Sequence, residues 1–254
     1  MSSKDISKEL ITLLKEIRLP MFREYYAECA RQAIQQELSY EQYLLELARR
    51  EYEVRRLNMI ERLVKTSKIP LEKTFDTFDL NRLHLKIRQQ VKILLAGSFV
   101  DRRENILAFG NPGSGKTHLL CAICHELCRQ GRRVHFASCD LIVQQLLRAK
   151  KELELDKLLK KLSRFEVIMI DDFGYVKQDR EEMEVLFTLL AHRYERGSML
   201  ITSNLPFSKW EVIFKDPMTT AAAIDRLVHH SVVLELNVPS YRAEQAKRRK
   251  YKDE

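Results

Sequence analysis

Glycine and proline are scarce, seven and six in 254 residues. That is too few for long flexible linkers, so the parts of the chain should be closely joined. No apolar run approaches the roughly 20 residues needed to cross a bilayer, and no membrane partner is expected. The first nine residues, Met-Ser-Ser-Lys-Asp-Ile-Ser-Lys-Glu, have no apolar stretch behind their charges, so no signal peptide is expected. The five cysteines are odd in number and their spacing has no look of a disulfide framework. A reducing cytoplasm is therefore the expected compartment. There is no internal repeat and no low-complexity segment.

What is present fits a soluble globular protein: 45% hydrophobic and 31% charged residues. The length suits one large α/β domain, or a domain of about 180 residues with a smaller appendage. A formal charge of +8 points to a polyanionic partner. Residues 4–65 read as helical. Leu10, Leu13, Leu14 and Ile17 mark one helix by their spacing. Pro20 suits the first position of a second, with Phe22, Tyr25, Tyr26 and Cys29 on one face. Ser39 and Gln42 form a capping box that opens a long third helix carrying Tyr43, Leu44, Leu47, Val54, Leu57 and Val64, and Pro70 stops it. From residue 105 the rhythm changes to short apolar runs at 105–109, 134–138, 167–170, 199–202 and 232–236, separated by helical patterns. Such alternation predicts parallel strands with crossover helices. The expected organisation is a small all-α domain (1–65), a connection (66–80), an α/β domain (81–246) and a basic tail (247–254).

Residues Gly110-Asn111-Pro112-Gly113-Ser114-Gly115-Lys116-Thr117 match G-x-x-x-x-G-K-[ST] between an expected strand and an expected helix. Gly113 and Gly115 let backbone N–H groups turn inward around phosphate oxygens, and the helix N-terminus adds unsatisfied donors. Lys116 can reach the β- and γ-phosphates, and the Thr117 hydroxyl can ligate Mg2+. The run Val167-Ile168-Met169-Ile170-Asp171-Asp172 supplies the second acidic motif that such a loop needs. Asp171 is expected to hold the Mg2+ shell, and Asp172 to orient or deprotonate the attacking water. Asp in the second place is one methylene shorter than Glu, so slow ATP hydrolysis is expected. Asn204, at the end of a further strand, could sit beside the γ-phosphate, and Arg226 and Arg242 are candidate phosphate sensors. His118, Cys121, Cys124, His125 and Cys128 invite a zinc reading, but they fall on the inward face of one helix with no second knuckle, so packing is expected instead. Residues 141–165 carry Arg148, Lys150, Lys151, Lys157, Lys160, Lys161 and Arg164 against Glu152, Glu154 and Asp156. This run is either a solvated helical face or a contact with the DNA backbone.

Together these residues resemble the initiator clade of AAA+ ATPases, and within it the IstB family of ATP-binding helpers of insertion-sequence transposases. The likeness covers nearly the whole chain. It rests on Gly110–Thr117 with His118-Leu119, on Ile170-Asp171-Asp172-Phe173-Gly174, and on Arg193-Tyr194-Glu195-Arg196-Gly197-Ser198. Thr202-Ser203-Asn204-Leu205-Pro206-Phe207 and Asp225-Arg226-Leu227-Val228-His229-His230 extend it. Towards the N-terminus, Glu51, Arg55, Arg62 and residues 69–79 separate it from DnaC and other helicase loaders. The resemblance implies a five-stranded parallel sheet in the order 5-1-4-3-2, behind a small helical domain. It implies ATP and Mg2+ as cofactors, with Gly110, Asn111, Pro112, Gly113, Ser114, Gly115, Lys116, Thr117, His118 and Arg242 at the nucleotide. It also implies Asn204 as first sensor and Arg226 acting in trans on a neighbouring subunit. The basic insertion would line the nucleic-acid path, and the implied partners are duplex DNA, a cognate transposase and further copies of the chain assembled with ATP. The alternative is a helicase loader that grips single-stranded DNA. A metabolic P-loop kinase would leave the basic insertion and the helical N-terminus without a task.

Overall fold

The computed structural model describes residues 3–174, 180–214, 216–241 and 243–244. The chain divides into two compact units, Met1–Arg62 and Leu63–Glu254. No helix among the described residues is long and apolar enough to cross a membrane.

The first unit is built from α1 (Ser3–Glu16), α2 (Pro20–Gln35) and the first part of α3 (Tyr40–Ser67). Pro20 occupies the first turn of α2, where its missing N–H costs nothing. The box at the start of α3 is formed in both directions: the Ser39 N–H donates to Gln42 Oε1 at 2.8 Å, and the Gln42 N–H donates to Ser39 Oγ at 3.3 Å. Glu51 is a buried carboxylate of α3 that accepts from the Met21 N–H at the start of α2 (2.9 Å) and from Arg55 Nε (2.6 Å). It thus satisfies a donor that α2 cannot. The apolar faces expected for these helices are only partly used. Leu14, Cys29 and Leu47 are buried, whereas Leu13, Ile17, Leu44 and Leu57 are exposed.

In the second unit, α3 ends at Ser67 and Lys68 turns out of it in the left-handed conformation at φ 61°. Residues 66–80, expected as a connection, are part of this unit's core. Ile69 is buried, and Phe75 and Phe78 pack on the same cluster. The chain continues through α4 (Leu85–Leu94), α5 (Ser98–Asp101), β1 (Asn105–Phe109), α6 (Lys116–Arg129), β2 (Val134–Ser138), α7 (Cys139–Lys151) and α8 (Leu155–Leu162). It ends with β3 (Val167–Asp171), α9 (Arg180–Arg193), β4 (Ser198–Ser203), α10 (Glu211–Phe214), α11 (Pro217–Val228) and β5 (Ser231–Glu235).

All pairings are parallel and the order is β2-β3-β4-β1-β5, the order expected. Side chains alternate between two apolar layers, as the period of two in a strand requires. Leu107, Ile168, Ile170 and Ile201 face the layer of α7, α9 and α11. Ile106, Ala108, Val167, Met169 and Leu200 face the layer of α4 and α6. Each fully buried leucine, isoleucine, valine or methionine among them contributes roughly 1.5–3 kcal/mol. The buried Arg193 donates to Phe165 O (2.9 Å), Glu166 O (3.0 Å) and Ser198 O (3.3 Å), tying the entrances of β3 and β4 together. A side chain at Gly197 would collide with that guanidinium, which accounts for the spacing of Arg193 and Gly197.

Candidate functional site

The C-terminal ends of β1, β3 and β4 open onto a cavity of about 630 Å3, where ligands of open parallel sheets bind. Residues 110–115 connect β1 to α6, and residues 112–117 form the cavity floor; Gly110 and Asn111 are not in its lining. Gly113 and Gly115 lie at φ 79° and 95°, and Gly115 is the residue from which α6 starts. A Cβ on Gly113 would meet Ser240 Oγ at 2.1 Å, so backbone alone fits there. The Tyr241 N–H donates to Gly113 O at 3.0 Å, which seats the segment after β5 on the loop.

Lys116 is buried at the start of α6, and its ammonium donates to Gly110 O (2.7 Å), Asn111 O (3.0 Å) and Asn204 Oδ1 (2.7 Å). The last bond brings the loop lysine to the end of β4. Thr117 Oγ1 donates to Asp171 Oδ1 at 2.7 Å. β3 runs one residue beyond the expected 167–170, so Asp171 is a buried strand residue, while Asp172 leaves the strand exposed at φ 57°. Both aspartates line the cavity, as does His118. The His118 Nε2 atom is bonded with Thr74 O (3.0 Å) and Thr77 Oγ1 (3.1 Å), and its ring meets the edge of Phe78 at 5.1 Å.

Sequence reasoning misses several lining residues. Phe78, Arg82, Leu83 and Tyr241 form a further wall of the cavity, with Phe78 close against Gly115. Arg82 stacks over the Tyr241 ring at 4.9 Å and donates to Pro239 O (3.1 Å) and Glu244 Oε1 (2.9 Å). Nothing in the local pattern marks these residues, because they are brought together only by long-range packing. Thr202, in sequence an ordinary polar strand-end residue, also belongs to the site. Its hydroxyl donates to Asp171 Oδ1 at 2.6 Å and accepts from the Asp172 N–H at 2.9 Å.

The remaining candidates lie elsewhere. Arg226 is outside the cavity lining; its guanidinium carbon sits 4.6 Å over the Phe187 ring. Its Nη1 is buried with no hydrogen-bond partner among the described residues. Arg242 lies outside the described residues. Cys121, Cys124 and Cys128 are buried on α6, and Cys121 and Cys124 approach Met169 Sδ at 4.0 and 3.9 Å. Burial pushes the Cys121 thiol up to about 12 and that of Cys128 up to about 11. His125, from the same helix, is bonded with Pro70 O at 3.1 Å.

The basic insertion forms most of α7 together with α8. Arg148, Lys150 and Lys157 are ion-paired with Glu152 (2.8 Å), Glu184 (2.9 Å) and Glu154 (2.9 Å). Lys151, Lys160 and Lys161 are exposed and form no ion pair among the described residues.

The cradle suits a nucleotide triphosphate tail with its divalent cation. Besides the glycines, Ser114 Oγ is buried at the floor with no hydrogen-bond partner among the described residues, as a group awaiting a phosphate oxygen would be. Thr117 Oγ1 and Asp171 present the hard oxygen donors that Mg2+ prefers.

The sequence profile of the IstB-like ATP binding protein family matches residues 12–249. A putative insertion sequence ATP-binding protein of Sinorhizobium fredii is 39% identical over 92% of this chain and 79% of its own length. The insertion sequence IS21 putative ATP-binding protein of Pseudomonas aeruginosa is 34% identical, with 94% and 91% covered. Among solved structures, the DnaC helicase loader superposes with a TM-score of 0.57 at 17% identity, over 65% of this chain and 97% of its own. AMPPCP-bound DnaA from Aquifex aeolicus gives 0.56 at 18%, over 74% and 56%. The two superpositions show the fold, an AAA+ P-loop core. With the profile spanning most of its length, the chain belongs to the IstB-like ATP-binding protein family.

Proposed function

We propose that this protein is an Mg2+-dependent ATP hydrolase that assembles with ATP on duplex DNA and regulates a partner transposase, acting in the cytoplasm. The observation that carries the reading is the convergence of Lys116, Asn204, Thr117 and Asp171 on one cavity floored by residues 112–117. In this reading the loop N–H groups and the Ser114 hydroxyl hold phosphate oxygens, and Lys116 neutralises the β- and γ-phosphates. Thr117 and Asp171 would hold Mg2+, which when bound supplies charge neutralisation at the transferring phosphoryl group. Asp172 orients the attacking water. Asn204, already bonded to Lys116, carries the state of the γ-phosphate to β4. Arg226 lies away from its own cavity, which supports a role across a subunit boundary.

The names of the relatives tie them to insertion sequences and ATP. That supports a transposase partner here, and the net charge with the basic α7–α8 region supports a DNA partner. The likeness to a helicase loader concerns the fold alone.

Asp172→Asn tests the chemistry. It should bind ATP as the parent does, lose hydrolysis, and remain assembled on DNA. Hydrolysis at the parental rate would remove Asp172 from its role. Competition between matched single- and double-stranded DNA tests the partner. Duplex should win, and a single-strand preference would favour the loader reading.

A further inference from the structure

The geometry points to Thr202 as the residue that positions both aspartates of the site, a positioning residue that couples β4 to the Mg2+ and water sites. This inference rests on the roles given above to Asp171 and Asp172.

The two neighbouring strands are in register, Ile170 beside Ile201, so one step further Asp171 lies beside Thr202. Thr202 is fully buried between β3 and β1, its backbone neighbour on the other side being Ala108. A threonine hydroxyl has one proton to give and lone pairs to accept with. Both capacities are used here. The O–H goes to Asp171 Oδ1 at 2.6 Å, and the oxygen receives the Asp172 N–H at 2.9 Å. The Phe173 N–H then donates to Thr202 O at 2.8 Å, and Ser203 Oγ donates to Phe173 O at 2.7 Å. The turn that carries both carboxylates is therefore fastened to two consecutive residues of β4.

Two physical consequences follow. Asp172 sits in the left-handed region at φ 57°, a conformation that costs a residue other than glycine some free energy, though aspartate tolerates it better than most. The Thr202 hydroxyl helps to hold it there by accepting the Asp172 N–H. Asp171 Oδ1 accepts from both Thr117 and Thr202. When Thr117 turns its oxygen to a cation, the Thr202 bond still fixes the rotamer of the carboxylate. Because Thr202 and Asn204 lie on the same strand end, a shift of β4 on reading the γ-phosphate moves the aspartates with it.

The test compares Thr202→Val, which keeps the shape and removes the hydroxyl, with Thr202→Ser, which keeps the hydroxyl. Ser203→Ala serves as the structural control, since the Ser203 hydroxyl fastens the same turn without touching either carboxylate. Calorimetry with ADP and with ATP, in EDTA and in Mg2+, supplies a readout independent of turnover. Thr202→Val should bind nucleotide in EDTA as the parent does. The tightening by Mg2+ should fall by on the order of tenfold, the worth of one hydrogen bond to a charged group. Amide exchange at Asp172 should quicken, and hydrolysis should fall by a similar factor or more. Thr202→Ser should restore all three. Ser203→Ala should lower Tm and leave the Mg2+ dependence intact. Parental Mg2+ tightening and amide protection in Thr202→Val would overturn the inference, as would failure of the Ser variant to restore them. If the parent itself hydrolysed no ATP, the proposed activity would fall, while the Mg2+ and exchange measurements would still decide the part played by Thr202.

Discussion

Arg226→Ala separates two explanations that differ in size by orders of magnitude. Within its own protomer the guanidinium lies 4.6 Å over the Phe187 ring. An interaction of that kind is worth roughly 0.5–2 kcal/mol. Removing it should lower Tm by a few degrees, at about 2–4 °C per kcal/mol for a domain of this size. Against a total stability of about 5–15 kcal/mol, that change leaves the chain almost wholly folded. A structural arginine would therefore change ATP hydrolysis by less than about twofold. A finger acting in trans is worth roughly 10³–10⁵ in rate. The assay is steady-state ATP hydrolysis on duplex DNA, with Arg226→Ala and Lys116→Ala mixed in varied proportion. Each variant alone should be nearly inactive. At equal mixing about a quarter of head-to-tail interfaces would pair an intact loop with an intact arginine. Activity should therefore peak there, near a quarter of the parental rate. No rescue at any ratio would refute the trans assignment, and a parental rate in Arg226→Ala alone would leave only the packing over Phe187.

His135 is buried on β2 against Phe165, with neither ring nitrogen bonded among the described residues. Burial, helped by Lys68 and Lys161, lowers it to about 4. A depressed value means that the unfolded chain takes the proton first. Stability is then full above the ordinary histidine value near 6.5 and declines as pH falls towards 4, by up to about 3 kcal/mol. His135→Phe should flatten that part of the urea-unfolding profile between pH 7.5 and 5; an unchanged profile would contradict the burial argument. On DNA, replacing Lys150 and Lys151 together by Ala should weaken binding alike on all sequences. It should also lower the salt slope by about one unit for each phosphate that a bound subunit no longer neutralises. Lys151 should account for more of the weakening, since Lys150 also serves Glu184; an unchanged slope would remove both from the interface.

The parts of the site that are legible in the sequence are those whose chemistry is local. Residues 110–117 announce themselves because a strand, a glycine turn and a helix start must follow one another within a few residues. Asp171 and Asp172 are legible only together with residues 110–117, because a phosphate-binding loop needs an acidic partner at the end of a neighbouring strand. The order of the sheet follows from the resemblance rather than from periodicity. Thr202 is hidden, since a hydroxyl at a strand end looks the same whether it faces solvent or holds two aspartates. Phe78, Arg82 and Tyr241 are hidden for another reason: they come from segments far apart in sequence that meet only through long-range packing. Spacing marks the helices that carry Leu13, Ile17, Leu44 and Leu57, but it says which residues share a face and not whether that face is covered, and these four are exposed.

The central claim is that ATP converts this chain into an assembly on duplex DNA. Native mass measurement of the protein mixed with a duplex of arbitrary sequence, with and without ATP and Mg2+, tests it most directly. With both present, the mass should be that of several subunits on one duplex; without ATP, protein and duplex should run apart. The same mass in both conditions, whether assembled or separate, would contradict it.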